Sequence, residues 1–491
     1  MIVNLTFGCL ALLSLALTLW QWQVGRRFPL HQRLASPRNR EGERPREPKH
    51  SENSEEIRAR EDARPPSRRV AYHLREEAQT SIPQPSTPNS QPPVTLLKPL
   101  KGCDATTEHS LRSWFMEQYA GPVQILFGVA TADDPVCNIV HGLLQEFPGS
   151  DAQLVVCGPP LGANAKVSQL VELERRAKYE TLVISDADVR VPPDLLANIV
   201  VPLDAESAKT KPLSAPLSLP LSPPLSDQPT FDEGRDKGCD KGRGLVCCLY
   251  RLANPTTLAM QWEAIATNAD FWSQVLQARS LKLIDFALGA VMTVRRQQLH
   301  EIGGLSTLVD FLADDYQLGN RLAHRGYQIT ISPVVIECWS APSGWAAAWQ
   351  RQLRWARTIR VCQPLPYFFS VLSNATLWPL LWLVVSPVVP VVVSVLICLV
   401  VRIVTAVHLQ HRLSQNPNLG GRASPRAQTS PEDGVRGDAH PPVAAPWRYA
   451  WLVPVKDLLQ AVIWLLAFLG SRVEWHGQRL RLRRDGTLTK G

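Results

Sequence analysis

Two carboxylates one residue apart follow a short apolar stretch near the middle of the chain. Residues 181–184 are apolar or β-branched, as in a strand buried on both faces, and Asp186 and Asp188 come directly after them. Hard divalent cations such as Mg²⁺ bind carboxylate oxygens together with substrate phosphates, and ligands of open α/β sheets bind beyond the carboxyl ends of strands. The pair therefore indicates a metal–phosphate site. Taken alone, the acidic pair is equally consistent with an ordinary loop after a strand or with a helix cap before Pro192.

Two further acidic pairs stand at similar positions. Asp133 and Asp134 follow a second apolar stretch at 123–129, so they also come just past the end of a predicted strand. Asp314 and Asp315 open a predicted helix, where acids complement the helix dipole without any catalytic role. Each pair alone has a structural explanation, but together they place acids at several element ends.

Basic and polar residues suited to an anion accompany these acids. Asn164 and Lys166 lie in a Gly-containing loop that opens a predicted helix, and helix N-termini bind anions, although an ordinary connecting loop explains the same pattern. A basic amphipathic helix is predicted at 346–360, and a solvated basic helix at a membrane is the alternative interpretation of it. This helix carries an Arg-x-x-Arg-Trp motif formed by Arg351, Arg354 and Trp355.

Strands and helices that alternate along the chain must position these residues. The first predicted strand, at 94–99, ends in Lys98 and Pro99, and predicted helices separate it from the strands at 123–129, 152–157 and 181–184. Alternation of this kind predicts a mostly parallel, doubly wound α/β sheet with right-handed crossovers.

Composition excludes several classes of protein. The chain has 491 residues, and 52 Lys and Arg against 44 Asp and Glu give a formal net charge of +8. The basic residues are scattered or lie beside apolar segments, which favours the inner face of an anionic membrane and no nucleic-acid partner. None of the ten cysteines forms a Cys-x-x-Cys pair with a His partner, so we expect no zinc site.

Apolar segments at both ends predict a membrane protein. The first segment is long enough to cross a bilayer and lacks the basic start and small-residue cleavage site of a signal peptide. Arginines follow it closely, so the positive-inside rule puts the N-terminus outside and the rest of the chain in the cytoplasm. The predicted segments are a transmembrane anchor at 1–24, a disordered tether at 36–92, a catalytic domain at 93–362 with a low-complexity insertion at 205–243, a transmembrane segment at 374–407, a disordered linker at 411–446, a transmembrane or interfacial helix at 447–470 and a basic tail at 471–491.

Taken in order, these motifs resemble the membrane-bound inverting glycosyltransferases of the GT-A fold, and most closely the ceramide glucosyltransferase family with its bacterial hopanoid-associated relatives. The matching residues are Lys98-Pro99, Asp133-Asp134, Asn164 with Lys166, Asp186-Ala-Asp188, Gly303-Gly304, Asp314-Asp315-Tyr316 and Arg351-x-x-Arg354-Trp355. The resemblance implies an α/β GT-A catalytic domain, a Rossmann-like and mostly parallel sheet, with N-terminal and C-terminal transmembrane helices.

The resemblance also implies a role for each matching residue. Asp315 is expected to be the catalytic base, with Arg354 on the diphosphate and Trp355 as a wall for sugar or acceptor. Asp188, with Asp186, is expected to hold Mg²⁺ or Mn²⁺. The residues expected to bind the UDP-sugar donor are Lys98, Asp133, Asp134, Asn164, Lys166, Asp186 and Arg351. Asp314 raises the pKa of Asp315 if the two side chains face each other.

The implied reaction is inverting transfer of glucose or N-acetylglucosamine from a UDP-sugar to the hydroxyl of a membrane lipid such as ceramide or a hopanoid. A multi-pass protein of a bacterial inner membrane, with a cytoplasmic catalytic domain, is the expected setting. The alternatives are a processive polysaccharide synthase, a polyprenyl-phosphate sugar transferase, and a non-catalytic membrane scaffold.

Overall fold

The computed structural model describes residues 2–33, 91–204, 241–415, 446–475 and 478–490. All of these belong to one structural unit, formed by Met1–Arg33 with Gln91–Gly491. The predicted tether lies outside the described residues except for its last two positions. Most of the low-complexity insertion and of the predicted linker at 411–446 also lie outside them.

An eight-stranded, mostly parallel sheet forms the centre of the structure. Its strands are β1 (Val94–Pro99), β2 (Val123–Val129), β3 (Asp151–Val156), β4 (Thr181–Ser185), β5 (Val189–Arg190), β6 (Arg243–Leu252), β7 (Val291–Arg295) and β8 (Gln328–Cys338), in the order β3-β2-β1-β4-β7-β6-β8-β5. Strands β1 to β4 run parallel to one another, and β6 runs parallel to β8. Strand β7 runs antiparallel to both β4 and β6, and β5 runs antiparallel to β8. The carboxyl ends of β1, β2 and β4 therefore meet at one edge, as the sequence predicts.

Helices cover both faces of this sheet and extend beyond it. They are α1 (Ile2–Arg27), α2 (Thr107–Phe115), α3 (Val136–Glu146), α4 (Ala165–Arg176), α5 (Leu195–Asp204), α6 (Leu258–Ile265), α7 (Trp272–Leu281), α8 (Arg296–Glu301), α9 (Asp314–His324), α10 (Trp345–Cys362), α11 (Pro364–Phe369), α12 (Leu377–Val385), α13 (Val389–Ser414) and α14 (Leu452–Phe468). A π-helical turn, Ala266–Phe271, joins α6 to α7.

The hydrophobic core has two parts, one on each face of the sheet. Alternate residues of a strand point to opposite faces, so Leu97 of β1 packs with α4 while Leu96 packs with α2 and α3. Every residue of β1 and β4 is buried, which explains why both strands are nearly continuous in apolar and β-branched residues. The expected mostly parallel α/β architecture is confirmed.

Two described helices, α1 and α13, are long and apolar enough to cross a membrane. A bent pair formed by Pro364–Ser373 and Leu377–Val385, with an angle of 56° between its halves, raises the number to three if it counts as one span. The apolar run predicted as one segment at 374–407 is divided between α12 and α13. The division falls near Pro387 and Pro390, because proline removes a backbone donor and restricts the residue before it.

A buried network of four charges joins α13 and α14 to the π-helical turn between α6 and α7. Arg402 of α13 lies 2.8 Å from Asp457 of α14 and 2.9 Å from Asp270 of the π-helical turn, and Lys456 contacts both acids. Two cations and two anions balance, which lets the four side chains stay buried together. Lys456 and Asp457, the two charged residues of α14, therefore connect this helix to α13 and to the π-helical turn.

The basic tail predicted at 471–491 contains a three-stranded antiparallel sheet. Its strands are β9 (Arg472–Trp475), β10 (Gln478–Leu482) and β11 (Leu488–Lys490). The Leu488 amide donates to the Asp310 carbonyl at 2.7 Å, and Leu312 packs among the leucines of this sheet. The C-terminal residues thus support the segment that leads into α9, where the Asp-Asp-Tyr motif begins.

Candidate functional site

A buried lysine, Lys98, contacts the carboxyl end of β4. Because β1 and β4 are parallel neighbours, Lys98 reaches the end of β4, where its ammonium lies 3.2 Å from Ser185 Oγ and 2.5 Å from the Asp186 carbonyl. It also lies over the Trp114 ring. Burial lowers the pKa of Lys98 to about 7, against the opposing charges of Asp188 and Asp186. This position makes Lys98 a support for the strand end; its expected contact with the donor stays a prediction.

A single lysine connects two of the acidic pairs. The ammonium of Lys166, at the start of α4, lies 2.8 Å from Asp186 Oδ1 and 3.0 Å from Asp314 Oδ2. Burial alone would lower the pKa of Lys166, but the charges of Asp186 and Asp314 outweigh it and raise this pKa. The structure therefore brings together acids that are far apart in the sequence, at one edge of the sheet.

Asp315 lies beside this junction in a tight and partly buried environment. Its Oδ1 accepts a hydrogen bond from the Tyr316 amide at 2.7 Å, and its side chain packs against Gly289, where an added Cβ would come within 2.8 Å of Oδ2. Burial and the neighbouring charge of Asp314 raise the pKa of Asp315 to about 6. A carboxylate with this pKa is a better proton acceptor near neutral pH than an ordinary aspartate.

Asp188 differs from Asp186 and Asp314 because it forms no ion pair with a residue that the structure describes. The residue is exposed. The protein atoms around it and the charge of Asp186 raise its pKa to about 6.

The donor set at this edge suits a hard cation that a ligand helps to hold. Within the described ranges, no three His, Cys, Asp or Glu side chains gather to hold a metal ion by themselves. Asp188 and Asp186 together nevertheless offer carboxylate oxygens at one strand end, which fits a divalent cation completed by substrate phosphates.

Three other residues that were predicted to bind the donor differ in how far the protein itself already engages their side chains. Asn164 is buried, caps α4 through the Val167 amide, and donates to the Phe311 carbonyl at 2.8 Å, so its side chain is fully used within the protein. Asp134 accepts from the Gly102 amide and caps the start of α3. Asp133 is exposed. Of these three, Asp133 has the side chain most available for a nucleoside.

The Arg-x-x-Arg-Trp motif lies on α10, and its two arginines have different surroundings. Arg351 makes a bidentate ion pair with Glu263 of α6, which raises the pKa of Arg351. Arg354 is half-buried without an ion pair to any described residue; burial and the charge of Arg351 lower its pKa, while Asp186 acts in the opposite direction. Trp355 is also half-buried. Arg354 is therefore better placed than Arg351 to meet an anionic ligand.

Sequence reasoning missed two residues that shape this site. Glu263 is the one charged residue of the apolar helix α6, and a lone acid in such a helix needs a cationic partner, so this signal was available. Gly289 carries no comparable signal, because its importance comes from the approach of Asp315, which lies elsewhere in the sequence.

Comparison with known proteins places the chain among glycosyltransferases. It is 24% identical over 246 residues to ceramide glucosyltransferase 3 of Caenorhabditis elegans, which covers 50% of this chain and 45% of that protein. It is 31% identical over 122 residues to the ceramide glucosyltransferase of Candida albicans, covering 23% and 22%. The chain thus spans less than half the length of these curated relatives.

Solved structures show a weaker likeness. The mannosyltransferase PcManGT from Pyrobaculum calidifontis, in complex with GDP-Man and Mn²⁺, aligns with a TM-score of 0.38 at 16% identity over 77% of this chain and 88% of that one. Glucosyl-3-phosphoglycerate synthase from Mycobacterium tuberculosis, in complex with Mn²⁺, UDP and phosphoglyceric acid, aligns with a TM-score of 0.28 at 16% identity over 55% and 79%.

The family match extends over most of the sequence. Residues 68–210 and 237–488 match the family described as glycosyl transferase family 21, a range that contains every motif discussed above. This match agrees with the ceramide glucosyltransferase resemblance and with the observed α/β fold. The chain belongs to glycosyl transferase family 21.

Proposed function

We propose that this protein transfers a sugar from a UDP-sugar to the hydroxyl of a membrane lipid, with inversion at the anomeric carbon. The observation that carries the proposal is the convergence of Asp186 and Asp314 on Lys166, because it gathers the Asp-x-Asp and Asp-Asp-Tyr motifs at one sheet edge. Family membership and the ceramide glucosyltransferase relatives support a lipid acceptor and glucose as the sugar; N-acetylglucosamine is the second donor to test.

Asp315 is the proposed general base. Inversion requires one displacement, in which the lipid oxygen attacks the anomeric carbon while the bond to the diphosphate breaks. The carboxylate of Asp315 accepts the proton that the lipid hydroxyl loses, and the nucleoside diphosphate leaves with the bonding electrons. Gly289 leaves room for this carboxylate, and burial together with the charge of Asp314 raises the pKa of Asp315 to about 6.

Charge on the departing diphosphate is balanced by cationic groups. Asp188 and Asp186 would hold Mg²⁺ or Mn²⁺, whose bound charge stabilises the leaving diphosphate. Arg354 faces the same anion with a planar guanidinium that matches phosphate oxygens, and Trp355 offers a flat surface for sugar or acceptor. Lys166 holds Asp186 in place by its ion pair. Asp133 is the proposed contact to the nucleoside.

We further propose a multi-pass membrane protein whose catalytic part lies on the cytoplasmic side of a bacterial inner membrane. The apolar helices α1 and α13 and the arginines that follow α1 support this arrangement. It would bring the lipid hydroxyl to the site from the bilayer. Ceramide and a hopanoid are the two acceptors to test first.

The deciding experiment uses the full chain purified in detergent with Mn²⁺. Incubation with labelled nucleotide sugars and with ceramide, hopanoid or diacylglycerol should give one lipid glycoside, identified by mass spectrometry. Asp315→Asn should reduce transfer by at least a hundredfold while it keeps nucleotide binding. Asp151→Asn removes an exposed acid on β3 and serves as the matched control.

Two outcomes contradict the proposal. Wild-type transfer by Asp315→Asn would remove the base assignment and would favour a phosphate acceptor, as in polyprenyl-phosphate sugar transferases. No binding of any nucleotide sugar with Mg²⁺ or Mn²⁺ would favour a non-catalytic scaffold.

A further inference from the structure

A cavity of about 240 Å³ lies between the middle of α10 and the C-terminal three-stranded sheet. Four arginines line it: Arg354 and Arg357 from α10, and Arg472 and Arg479 from β9 and β10. Glu474 is the one acid in the lining, so the walls carry an excess of three positive charges. We call this cavity the arginine cavity. Of its lining residues, Arg354 is close enough to Asp186 for that charge to act on its pKa.

The guanidinium groups of the arginine cavity are not neutralised by the protein. None of the four arginines forms an ion pair with a described residue, and Arg357 uses one of its N–H groups on the Arg472 carbonyl. The Arg357 Nε is buried without an acceptor. Unsatisfied buried donors and crowded like charges cost free energy, which a bound anion would recover. Guanidinium groups match the oxygens of a phosphate in two-point contacts.

An exposed aromatic cluster lies near the C-terminal end of α10, where Arg360 contacts it. Phe368, Phe369 and Phe468 are 51%, 55% and 38% exposed, and Trp464 lies 5.2 Å from Phe468 between ring centroids. We call these four residues the aromatic edge. Exposed aromatic rings grouped in this way are typical of a surface that meets lipid.

The aromatic edge and the arginine cavity are connected through α10 and Gly470. Arg360 lies over the Phe468 ring and donates to the Gly470 carbonyl. Gly470 also packs against Arg357, whose guanidinium nitrogen lies 2.9 Å from where a Cβ on Gly470 would stand. A cationic cavity and an apolar edge therefore lie next to each other, as phosphate and acyl chain do in a phospholipid.

We propose that Arg357, Arg472 and Arg479 of the arginine cavity bind the phosphate of an anionic phospholipid, with the aromatic edge against its acyl region, while Arg354 serves the diphosphate of the donor. This site goes beyond the proposed transfer reaction, because the acceptor of that reaction contributes a hydroxyl and needs no phosphate. The bound phospholipid would hold α10 and the C-terminal sheet at the membrane surface. The aromatic edge favours a lipid over the diphosphate of a nucleotide, because the diphosphate has no apolar part that could pack against these rings.

Lipid binding to the full chain in detergent tests this proposal. Native mass spectrometry with phosphatidylglycerol and with diacylglycerol of the same acyl chains separates the phosphate from the hydrocarbon. The wild type should bind phosphatidylglycerol preferentially. The double variant Arg472→Gln/Arg479→Gln should bind it roughly tenfold to thirtyfold more weakly, with no change for diacylglycerol. Arg483→Gln/Arg484→Gln removes the same charge from an exposed turn of the same sheet and should bind like the wild type.

Folding and the source of the phosphate are controlled separately. The variant should keep the thermal unfolding midpoint of the wild type, and Arg472→Lys/Arg479→Lys should bind with intermediate affinity because the charge remains without the planar fork. Equal phosphatidylglycerol affinity in wild type and double Gln variant would overturn the proposal.

A nucleotide is the other possible source of the phosphate. If the double Gln variant weakened UDP binding as much as lipid binding, or if pyrophosphate displaced the lipid at equal concentration, the cavity would be a donor subsite. Lipid binding by Asp315→Asn should match that of the wild type. The lipid-binding test can therefore be interpreted even if the protein does not catalyse the proposed transfer.

Discussion

The side-chain nitrogen of Lys166 lies 2.8 Å from Oδ1 of Asp186, so the first turn of α4 is tied to the acids that follow β4. The same nitrogen reaches Asp314, and its charge lowers the pKa of Asp315 while Asp314 raises it. Two charges of opposite sign thus act on the proposed base. Burial, the charge of Asp314 and the charge of Lys166 together set the pH range in which Asp315 can accept a proton.

Turnover should fall as the pH drops through about 6. The proposed base works only when deprotonated, and burial with the Asp314 charge raises the pKa of Asp315 to about 6, so activity is retained above this pH and lost below it. The measurement is kcat against pH at saturating donor. Donor binding is measured in parallel, because the pKa of Asp188 is also raised to about 6. A profile that stays flat down to pH 4.5 would contradict the assignment.

The acidic limb of the kcat–pH profile, where the rate falls at low pH, should move in opposite directions in two variants. Asp314→Asn removes a negative charge beside Asp315 and should shift the limb to lower pH. Lys166→Met removes a positive charge and should shift it to higher pH. Each is compared with wild type in the same buffers, and Lys178→Met, at an exposed surface pair, is the control. Shifts of the same sign in both variants would show that the limb does not report on Asp315.

Gly289→Ala should reduce transfer by about a hundredfold with little effect on nucleotide binding. The new methyl group would stand 2.8 Å from Asp315 Oδ2 and 3.1 Å from its Cβ, so the carboxylate must move, and small misplacements of a reacting group cost about this much. Gly142→Ala adds a methyl group at a glycine with nothing within 4 Å and should leave the rate unchanged. Steady-state kinetics and UDP titration distinguish the two effects.

Arg402→Met should destabilise the protein by about 3–5 kcal/mol. It leaves Asp270 and Asp457 with Lys456 as their one nearby cation, and removal of one partner from a buried ion pair uncovers an uncompensated charge. The free energy of unfolding is measured with the full chain in detergent. Arg175→Met, on the exposed face of α4, is the comparison and should change it by less than about 1 kcal/mol. Equal stability of the two variants would contradict this account of the network.

Local patterns in the sequence were sufficient for the secondary structure around the site. The apolar run before Asp186 is strand β4, the alternation of strands and helices gives the mostly parallel sheet, and the basic stretch with Arg351 is helix α10. These features depend on periodicity and on the chemistry of neighbouring residues, which a sequence displays directly. The break near Pro387 was also visible, although the two helices it separates were predicted as one segment.

Only the tertiary structure decided which partner each charged residue takes. Lys98 and Asn164 matched donor-binding motifs, and the structure adds that Lys98 contacts the end of β4 and that Asn164 caps α4. Arg351 pairs with Glu263 and leaves Arg354 open to a ligand. Coulomb energy depends on distance in space and on burial, and neither is set by separation along the chain. The sequence by itself therefore determined the family and the residue types of the site, whereas folding determined which partner within the protein each of these residues takes.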